Sequence, residues 1–284
     1  MKKGIVMEGG AMRGMFTCGV LDVLMEEGFS FDGAVGVSAG ATFGCNLKSH
    51  QIGRAFRYNK KYCSDKRYHS FRSLVFTGDI YNVSFCYDEL PHKLDVWDEK
   101  AFEVNPMEFY CVATDVESGK PVYHKCTDGG KEDLKWIQAS ASMPLVSRIV
   151  RIDGGSYLDG GTSDSIPLKF MESKGYDRIL VVETQPMDYV KGQQKFMPLV
   201  KAVYKKYPAM IECMDKRHLM YNEEKRYIRD KERLGEVMVI RPEEPLNINP
   251  IEKDPKEIER VYELGRKAGK EKVEKLRIFF EGKS

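Results

Sequence analysis

Short apolar runs alternate with helical patterns through the first half of the chain, and this alternation restricts the fold more than any other feature. The runs at 4–7 and 33–38 are typical of buried strands, and each leads into a helical pattern. Further strand patterns occur at 108–116, 121–126 and 178–184. Strands that alternate with helices indicate layers packed around a mainly parallel sheet. We therefore expect an α/β fold.

The sequence changes character near residue 190. Beyond it, long charged helical patterns cover 194–234 and 255–280. This change predicts a main domain at 1–190 and a mostly helical C-terminal extension at 191–284, which is able to pack on the main domain.

Composition favours a cytoplasmic protein. No apolar run approaches the ~20 residues needed to cross a bilayer, and the start of the chain lacks the apolar core of a signal peptide. The seven cysteines are scattered and never form a C-x-x-C pair. Reduced thiols fit this pattern better than a disulfide framework or a zinc site.

Charge is unevenly distributed along the chain. The net charge is +2, with −4 in residues 1–190 and +6 in residues 191–284. The basic segment 191–284 is compatible with solvated helix faces or with peripheral contact at an anionic membrane surface, for which the basic aromatic stretch 54–62 is another candidate. A net charge of +2 without a known motif argues against nucleic-acid binding. An apolar stripe in the last helical pattern is expected to pack on the core; it comprises Ile258, Val261, Leu264, Ala268, Leu276 and Phe279.

The stretch Gly-Val-Ser-Ala-Gly, residues 36–40, joins the second predicted strand to the next helical pattern. A strand that runs through G-x-S-x-G into a helix is the setting of a nucleophile elbow, whose sharp turn exposes the serine. Glycine suits both flanking positions because the backbones there pack closely. We predict Ser38 as a nucleophile, with Gly36 and Gly40 as elbow residues.

A glycine-rich stretch, residues 8–14, directly follows the first predicted strand. It has alanine in the third place of G-x-G-x-x-G and lacks the Gly-Lys-Ser/Thr of a phosphate-binding loop, so neither nucleotide motif is present. Adjacent parallel strands would bring this loop beside Ser38, where each oxyanion-hole donor contributes about 10²–10³ in rate. The predicted oxyanion-hole residues are Gly9, Gly10, Ala11, Met12, Arg13 and Gly14.

A serine nucleophile also needs a base. Of the five histidines, only His218 follows both the serine and the Asp-Gly-Gly repeats, and its highly charged helical surroundings are typical of a solvated histidine. Asp153-Gly154 joins two strand-like pieces, which is a hairpin-turn signal. Asp159 stands at a strand end and opens into a loop. We therefore predict Asp153 as a turn residue and Asp159 as the base.

Together these motifs resemble those of the patatin-like phospholipase family. The family pattern of G-G-G-x-R-G, G-x-S-x-G and D-G-G or D-G-A is matched in order by residues 9–14, 36–40 and 159–161. Residues 139–146 are also similar to the family's Ala-Ser-small-small-Pro stretch. The likeness spans roughly residues 4–185 and is greatest for the bacterial subgroup with a helical, basic C-terminal extension.

The resemblance implies a three-layer α/β/α patatin-like fold with a mainly parallel central sheet. It also implies hydrolysis of lipid acyl esters by a Ser–Asp dyad, in which Ser38 attacks and Asp159 accepts its proton. The amides of Gly10 and Ala11 would bind the oxyanion, assisted by the amide of Ala39. Such a dyad implies no cofactor and no metal ion, and its partner is a lipid or acyl-ester substrate. The remaining motif residues are Gly36, Gly40, Gly160 and Gly161.

Two positions depart from the family pattern. Ala11 replaces the third glycine, and we expect a negative φ there because a methyl group disfavours the left-handed region. Ser165 stands where many members carry asparagine, a change that concerns the ordering of its loop and neither reacting residue.

Three functions remain open from the sequence. The first is hydrolysis of the phospholipase A or lysophospholipase type through an acyl-enzyme. An acyltransferase would use the same intermediate with an acceptor other than water. A non-catalytic membrane or regulatory protein would keep only the fold, but the presence of both reacting residues favours an enzyme.

Overall fold

The computed structural model describes residues 1–281, which form eight strands and ten α-helices. The strands are β1 (Lys3–Met7), β2 (Gly33–Val37), β3 (Glu108–Asp115), β4 (Pro121–Cys126), β5 (Val150–Ile152), β6 (Gly155–Asp159), β7 (Arg178–Val182) and β8 (Val237–Ile240). The helices are α1 (Gly14–Glu26), α2 (Ala39–Lys48), α3 (Arg54–Tyr62), α4 (Phe71–Thr77), α5 (Glu99–Val104), α6 (Lys131–Ser140), α7 (Leu168–Ser173), α8 (Met197–Val203), α9 (Pro208–Arg233) and α10 (Pro255–Glu281). A π-helix (Phe85–Leu94) and two 3₁₀ turns (Ala11–Arg13 and Gly160–Thr162) also occur.

All eight strands belong to one sheet with the order β5-β6-β3-β2-β1-β7-β8, and β4 pairs with β3. The pairs that link β3, β2, β1, β7 and β8 are parallel. The pairs that involve β4, β5 and β6 are antiparallel. The predicted α/β fold with a mainly parallel sheet is therefore confirmed.

The pairing of β3 determines where the end of β6 lies. Strand β4 pairs with β3 over residues 109–114, so it occupies one side of β3 along that whole length. On the other side, β2 pairs up to Val112 and β6 takes over from Ala113. Val37 lies opposite Val112 and Asp159 lies opposite Ala113. The carboxyl ends of β2 and β6 consequently meet end to end along β3.

Helices cover both faces of the sheet. In β1, Ile5 and Met7 point to a core that contains α1, α2 and α10, whereas Val6 points to a core that contains α7 and α9. Successive side chains of a strand point to opposite faces, so two covered faces require almost continuously apolar strands. The three-layer α/β/α arrangement is confirmed.

The segment after residue 190 contributes to both the sheet and one helical layer. Strand β8 extends the sheet beside β7, and α10 packs along α1. The division of the chain near residue 190 stays a prediction. In the predicted stripe of α10, Ile258 and Leu276 are buried, but Leu264 is 40% exposed and was wrongly expected in the core. Among residues 1–281, no helix is both long and apolar enough to cross a membrane.

Helices α1 and α10 touch through their backbones. A Cβ atom added to Gly19 would lie 2.1 Å from the carbonyl oxygen of Tyr262, and one added to Gly265 would lie 2.0 Å from that of Phe16. Both distances are far inside van der Waals contact. Only glycine therefore permits this approach.

We expect Gly265→Ala to lower the free energy of unfolding by about 1–3 kcal/mol, because the added methyl group has no space and the helices must separate. Gly192→Ala is the control, since nothing lies within 4 Å of a Cβ atom there. Urea denaturation followed by circular dichroism measures both variants. Equal losses in the two would contradict the backbone contact.

Candidate active site

Ser38 lies at the turn between β2 and α2, with φ 54° and ψ −118°. Positive φ is uncommon for a residue other than glycine, and such strain is concentrated at functional sites. The turn is fixed from both sides: the amide of Ser38 donates to Ser140 Oγ at 3.0 Å, and its carbonyl accepts from Ala41 N at 2.9 Å. The predicted strand–turn–helix setting of this serine is thus present.

The glycine-rich loop packs directly on this turn. A Cβ atom on Gly9 would lie 2.9 Å from the carbonyl oxygen of Val37, and one on Gly40 would lie 2.2 Å from that of Met7. The loop after β1 and the elbow after β2 therefore touch without intervening side chains. This contact explains why both stretches are rich in glycine. Gly36 and Gly14 lie at the same contact, beside Gly40 and Ala39 respectively.

Ala11 has a φ of +48°, so the expectation of a negative φ is wrong. The residue begins a 3₁₀ turn, which the hydrogen bond from Arg13 N to Gly10 O (3.1 Å) closes. A left-handed conformation costs a residue with a Cβ atom about 1–2 kcal/mol. This conformational strain therefore lies at a residue that borders the same cavities as Ser38.

Backbone amides around Ser38 are left without partners. Within residues 1–281, the amides of Gly10, Ala11 and Ala39 donate no hydrogen bond to another protein group. Unpaired amides at a helix start attract anions, because the donors converge and the helix dipole adds to them. The geometry suits the predicted oxyanion hole, in which Met12 is buried beneath the loop and Arg13 borders it.

Asp159 ends β6 and is buried beside the same cavity as Ser38. Its Oδ1 accepts a hydrogen bond from Gly161 N at 2.7 Å, within the 3₁₀ turn that contains Gly160. Arg217 of α9 donates from Nε to the carbonyl oxygen of Gly161 at 2.6 Å. The aspartate is therefore oriented by its own motif and by a distant helix.

The charge state of Asp159 reflects opposing effects. Burial raises the pKa of its carboxyl group above the ordinary value, while the charge of Arg217 and a hydrogen bond from Ser38 lower it. Burial is the largest effect, because it penalises the charged form. Asp153 has a different environment: its φ of +48° and the +81° of Gly154 form the turn between β5 and β6. The predicted turn at Asp153 is confirmed.

Two cavities meet at Ser38, and they differ in chemistry. One is apolar and reaches past Phe43, Leu90 and Trp97 towards several tyrosines. The other is polar and contains Asp159, with charged groups from α9 and from the loop before α8. Ser38 and Ala11 border both. None of the five histidines of the described chain lines either cavity.

Sequence reasoning missed several polar groups of this site. Glu8 is buried, accepting from Tyr221 OH at 2.7 Å and from Thr184 N at 2.6 Å, and burial raises its pKa. Lys191 and Arg217 also line the polar cavity. Glu8 had a local signal, because it directly precedes the glycine loop. The other two had none: Arg217 lies in a charged helical pattern typical of a solvated helix, and Lys191 lies in a segment without a motif.

The sequence predicted no metal site, because its potential ligands lack a metal-binding spacing. The fold nevertheless brings three potential metal ligands close together. Potential ligand atoms of His124, Cys126 and Asp133 lie within 4.8 Å of one another, outside both cavities. The His124 Nε2 and Asp133 Oδ1 atoms are 2.9 Å apart, and Asp133 Oδ2 accepts the amides of residues 127–129. Burial raises the pKa of the Cys126 thiol well above its usual value. These groups have partners within the protein, and a protonated thiol is a poor metal ligand.

The structure defines an α/β protein in which a serine at a strand–helix elbow, a glycine-rich loop and a buried aspartate border one cavity. A family model for patatin-like phospholipases matches residues 5–171, and the chain belongs to that family. A domain of unknown function (DUF6363) matches residues 207–281. Family membership supports a lipid hydrolase function.

The chain is also similar to individual proteins. The uncharacterized protein YjjU of Escherichia coli (strain K12) is 26% identical over 275 residues, which cover 94% of this chain and 75% of that protein. Lysophospholipase nte1 of Aspergillus terreus is 28% identical over 192 residues, which cover 65% of this chain but only 12% of that protein. The crystal structure of VipD from Legionella pneumophila has a TM-score of 0.50 and 12% identity, over 96% of this chain and 67% of that one. This structural likeness concerns the fold alone.

We expect Arg217→Gln to raise the pKa of Asp159, because the substitution removes a positive charge that favours the ionised carboxylate. Carbon-13 NMR of the aspartate carboxyl groups measures the shift without any substrate. Lys216→Gln is the control, as Lys216 is exposed and paired with Glu212. An unchanged titration in Arg217→Gln would show that the two groups are not coupled.

Proposed function

We propose that the chain is a serine hydrolase of lipid acyl esters, of the phospholipase A or lysophospholipase type. The observation that carries this proposal is the position of Ser38 at the boundary of an apolar and a polar cavity, with Asp159 in the same polar cavity. An ester of a fatty acid has the same division, since its acyl chain is apolar and its leaving group is polar.

In the proposed reaction, Ser38 Oγ attacks the ester carbonyl carbon while the carboxylate of Asp159 takes the hydroxyl proton. The free amides of Gly10, Ala11 and Ala39 stabilise the resulting oxyanion. The proton then passes to the leaving alcohol, and the acyl group remains on the serine. Water, activated by the same aspartate, releases the fatty acid and restores the free enzyme.

The apolar cavity is the proposed site of the acyl chain. Its walls include Phe43, Leu90 and Trp97, all of them buried. Burial of each CH₂ of the substrate contributes about 0.8 kcal/mol. The other cavity, where the leaving group would be held, differs by its charged lining, which includes Arg13, Lys191 and Arg217.

Labelling with a fluorophosphonate probe tests the dyad before any substrate is known, because the probe reacts with activated serines. We expect wild type to label, Ser38→Ala to remain unlabelled, and Asp159→Asn to label at least about 10²-fold more slowly, in line with loss of a general base. Asp153→Asn is the matched control: it alters the other Asp-Gly-Gly motif, and should label like wild type.

Complete absence of labelling in wild type would favour a non-catalytic platform. If labelling occurs as expected, product analysis with added alcohols or lysolipids distinguishes the two enzymes, since an acyltransferase forms new esters where a hydrolase forms free fatty acid.

We also propose peripheral contact with an anionic membrane, such as the cytoplasmic face of a bilayer. Segment 54–62, the earlier candidate, makes contacts within the protein: Arg54 and Tyr58 are buried, and Lys60 forms a salt bridge with Glu259. A better candidate, called here the apolar rim, consists of exposed side chains on and next to α4 and α8. The apolar rim comprises Phe71, Val75, Phe76, Phe196, Leu199 and Val203, each more than half exposed.

The loop at 143–149 connects the apolar rim to the site. On the α4 side, Ile80 N donates to Val146 O at 2.9 Å, and on the α8 side Tyr204 OH accepts from Leu145 N at 3.0 Å. Met143, Pro144 and Val146 border the polar cavity. The rim also has a favourable charge for anionic lipid, since residues 187–206 carry five lysines and one aspartate.

We expect the double variant Phe71→Ser/Phe76→Ser to bind phosphatidylglycerol-containing vesicles at least about tenfold more weakly, because aromatic side chains gain most from leaving water at an interface. Vesicle co-sedimentation at low and high salt measures binding. Leu234→Ser is the control, an exposed leucine at the end of α9. Vesicle binding that is equal in all three proteins would rule out this surface.

A further inference from the structure

The polar cavity beside Ser38 contains three cations. Arg13, Lys191 and Arg217 line it together with Ser38 and Asp159. Within residues 1–281, none of the three cations lies within 4 Å of a carboxylate oxygen. This arrangement is unusual, because buried or half-buried cations are normally paired.

The acidic groups near the three cations have other partners: Asp159, in the same cavity, accepts a hydrogen bond from Gly161 N at 2.7 Å. Glu183 accepts from Lys225 Nζ at 2.8 Å and from Arg241 Nε at 2.6 Å. Glu8 accepts from Tyr221 OH and Thr184 N. The carboxylates of this region therefore do not neutralise the three cations by direct contact.

Lys191 is held in place by its backbone. Its amide donates to Asn222 Oδ1 at 2.8 Å, and its carbonyl accepts from Asn222 Nδ2 at 3.0 Å. The Nζ atom lies 4.5 Å from the ring centroid of Tyr221. A backbone clamped to α9 and a side chain resting on an aromatic ring leave the ammonium group at a defined place.

Arg217 is positioned by the aspartate motif. Only its Nε has a partner within the described residues, the carbonyl oxygen of Gly161 at 2.6 Å. Its two terminal nitrogens make no hydrogen bond to protein groups there. The guanidinium group is a planar donor that matches the oxygens of a phosphate or carboxylate.

The cations also act on one another. Burial and the neighbouring charges of Arg217 and Arg13 lower the pKa of Lys191 to about 8, so the ammonium group remains mostly protonated at neutral pH. Glu8 and Glu224 offset the charge of Lys191 in part, but neither forms a direct ion pair with it. An anion placed between the three cations would reduce their repulsion and form charge-assisted hydrogen bonds.

We propose that Lys191 and Arg217 form a subsite for the phosphate of the leaving group, so that the chain prefers acyl esters whose leaving alcohol carries a phosphodiester anion. This inference rests on the proposed function, in which the polar cavity receives the leaving group. Both residues lie outside residues 5–171, which match the family. The later segment of the chain therefore supplies the selectivity.

The test compares two monomeric short-chain substrates with the same acyl group, a lysophosphatidylglycerol and a monoacylglycerol. They contain the same ester and differ by the phosphoglycerol group. We expect wild type to have the higher kcat/KM for the phosphate-containing ester. The ratio of the two kcat/KM values should fall about tenfold to a hundredfold in Lys191→Gln and in Arg217→Gln, as for loss of a hydrogen bond to a charged group.

The ratio also separates this role from the effect of Arg217 on Asp159, because both substrates use the same base. Lys191→Arg keeps the charge and should recover most of the ratio. Lys195→Gln is the matched control, an exposed lysine four residues away whose ratio should equal that of wild type. Short, monomeric substrates keep membrane contact out of the measurement.

Three results would overturn the subsite. The first is a wild-type ratio near one, and the second is an equal loss of both activities in Lys191→Gln. The third combines two observations: inorganic phosphate inhibits monoacylglycerol hydrolysis in wild type but not in Lys191→Gln, and the ratio of the two kcat/KM values is the same in both proteins. That result would indicate a site for a free anion. Absence of turnover on both esters would instead contradict the proposed function itself.

Discussion

The candidate site depends on how two strands share one side of β3. Strand β2 pairs with β3 up to Val112, and the last residue of β6 pairs with the next residue of β3, Ala113. The ends of a parallel and an antiparallel strand therefore meet there. Ser38 follows the first end and Asp159 forms the second. Without this change of partner, a serine and an aspartate separated by 121 positions of sequence would have no reason to share a cavity.

The second constraint is the direct contact between the two glycine-rich turns. The loop after β1 approaches the elbow after β2 so closely that both Ser38 and Ala11 adopt positive φ. Each such residue costs of the order of 1–3 kcal/mol, which the surrounding close packing must offset. The same turns contain the amides of Gly10, Ala11 and Ala39, which donate no hydrogen bond to another protein group within residues 1–281.

Local signals in the sequence predicted most of the fold and indicated the two residues proposed to react. Apolar runs, the elbow motif and the Asp153-Gly154 turn depend on neighbouring residues, and the structure contains each of them. The conformation of Ala11 could not be predicted in the same way, because its φ of +48° occurs where the loop after β1 packs against the elbow after β2, residues that are distant in sequence. Arg217 of α9 and Lys191 in the loop before α8 were missed for a similar reason: charged residues look solvated in the sequence until the fold packs their segments against the site.

The structure also shows how the basic residues of the C-terminal segment are used. The net charge of +6 over residues 191–284 was compatible with solvated helix faces or membrane contact, and the cations named next fall into three groups. Lys225 and Arg241 are paired with Glu183 inside the protein, the lysines near α8 are exposed, and Lys191 and Arg217 line the polar cavity. The first group contributes to stability, since an unpaired buried carboxylate would be costly. Only the other two groups are available to a ligand, and they differ in distance from Ser38. Changes in the later segment can therefore alter membrane contact or the choice of leaving group while the elbow and Asp159, both supplied by the earlier segment, remain as they are.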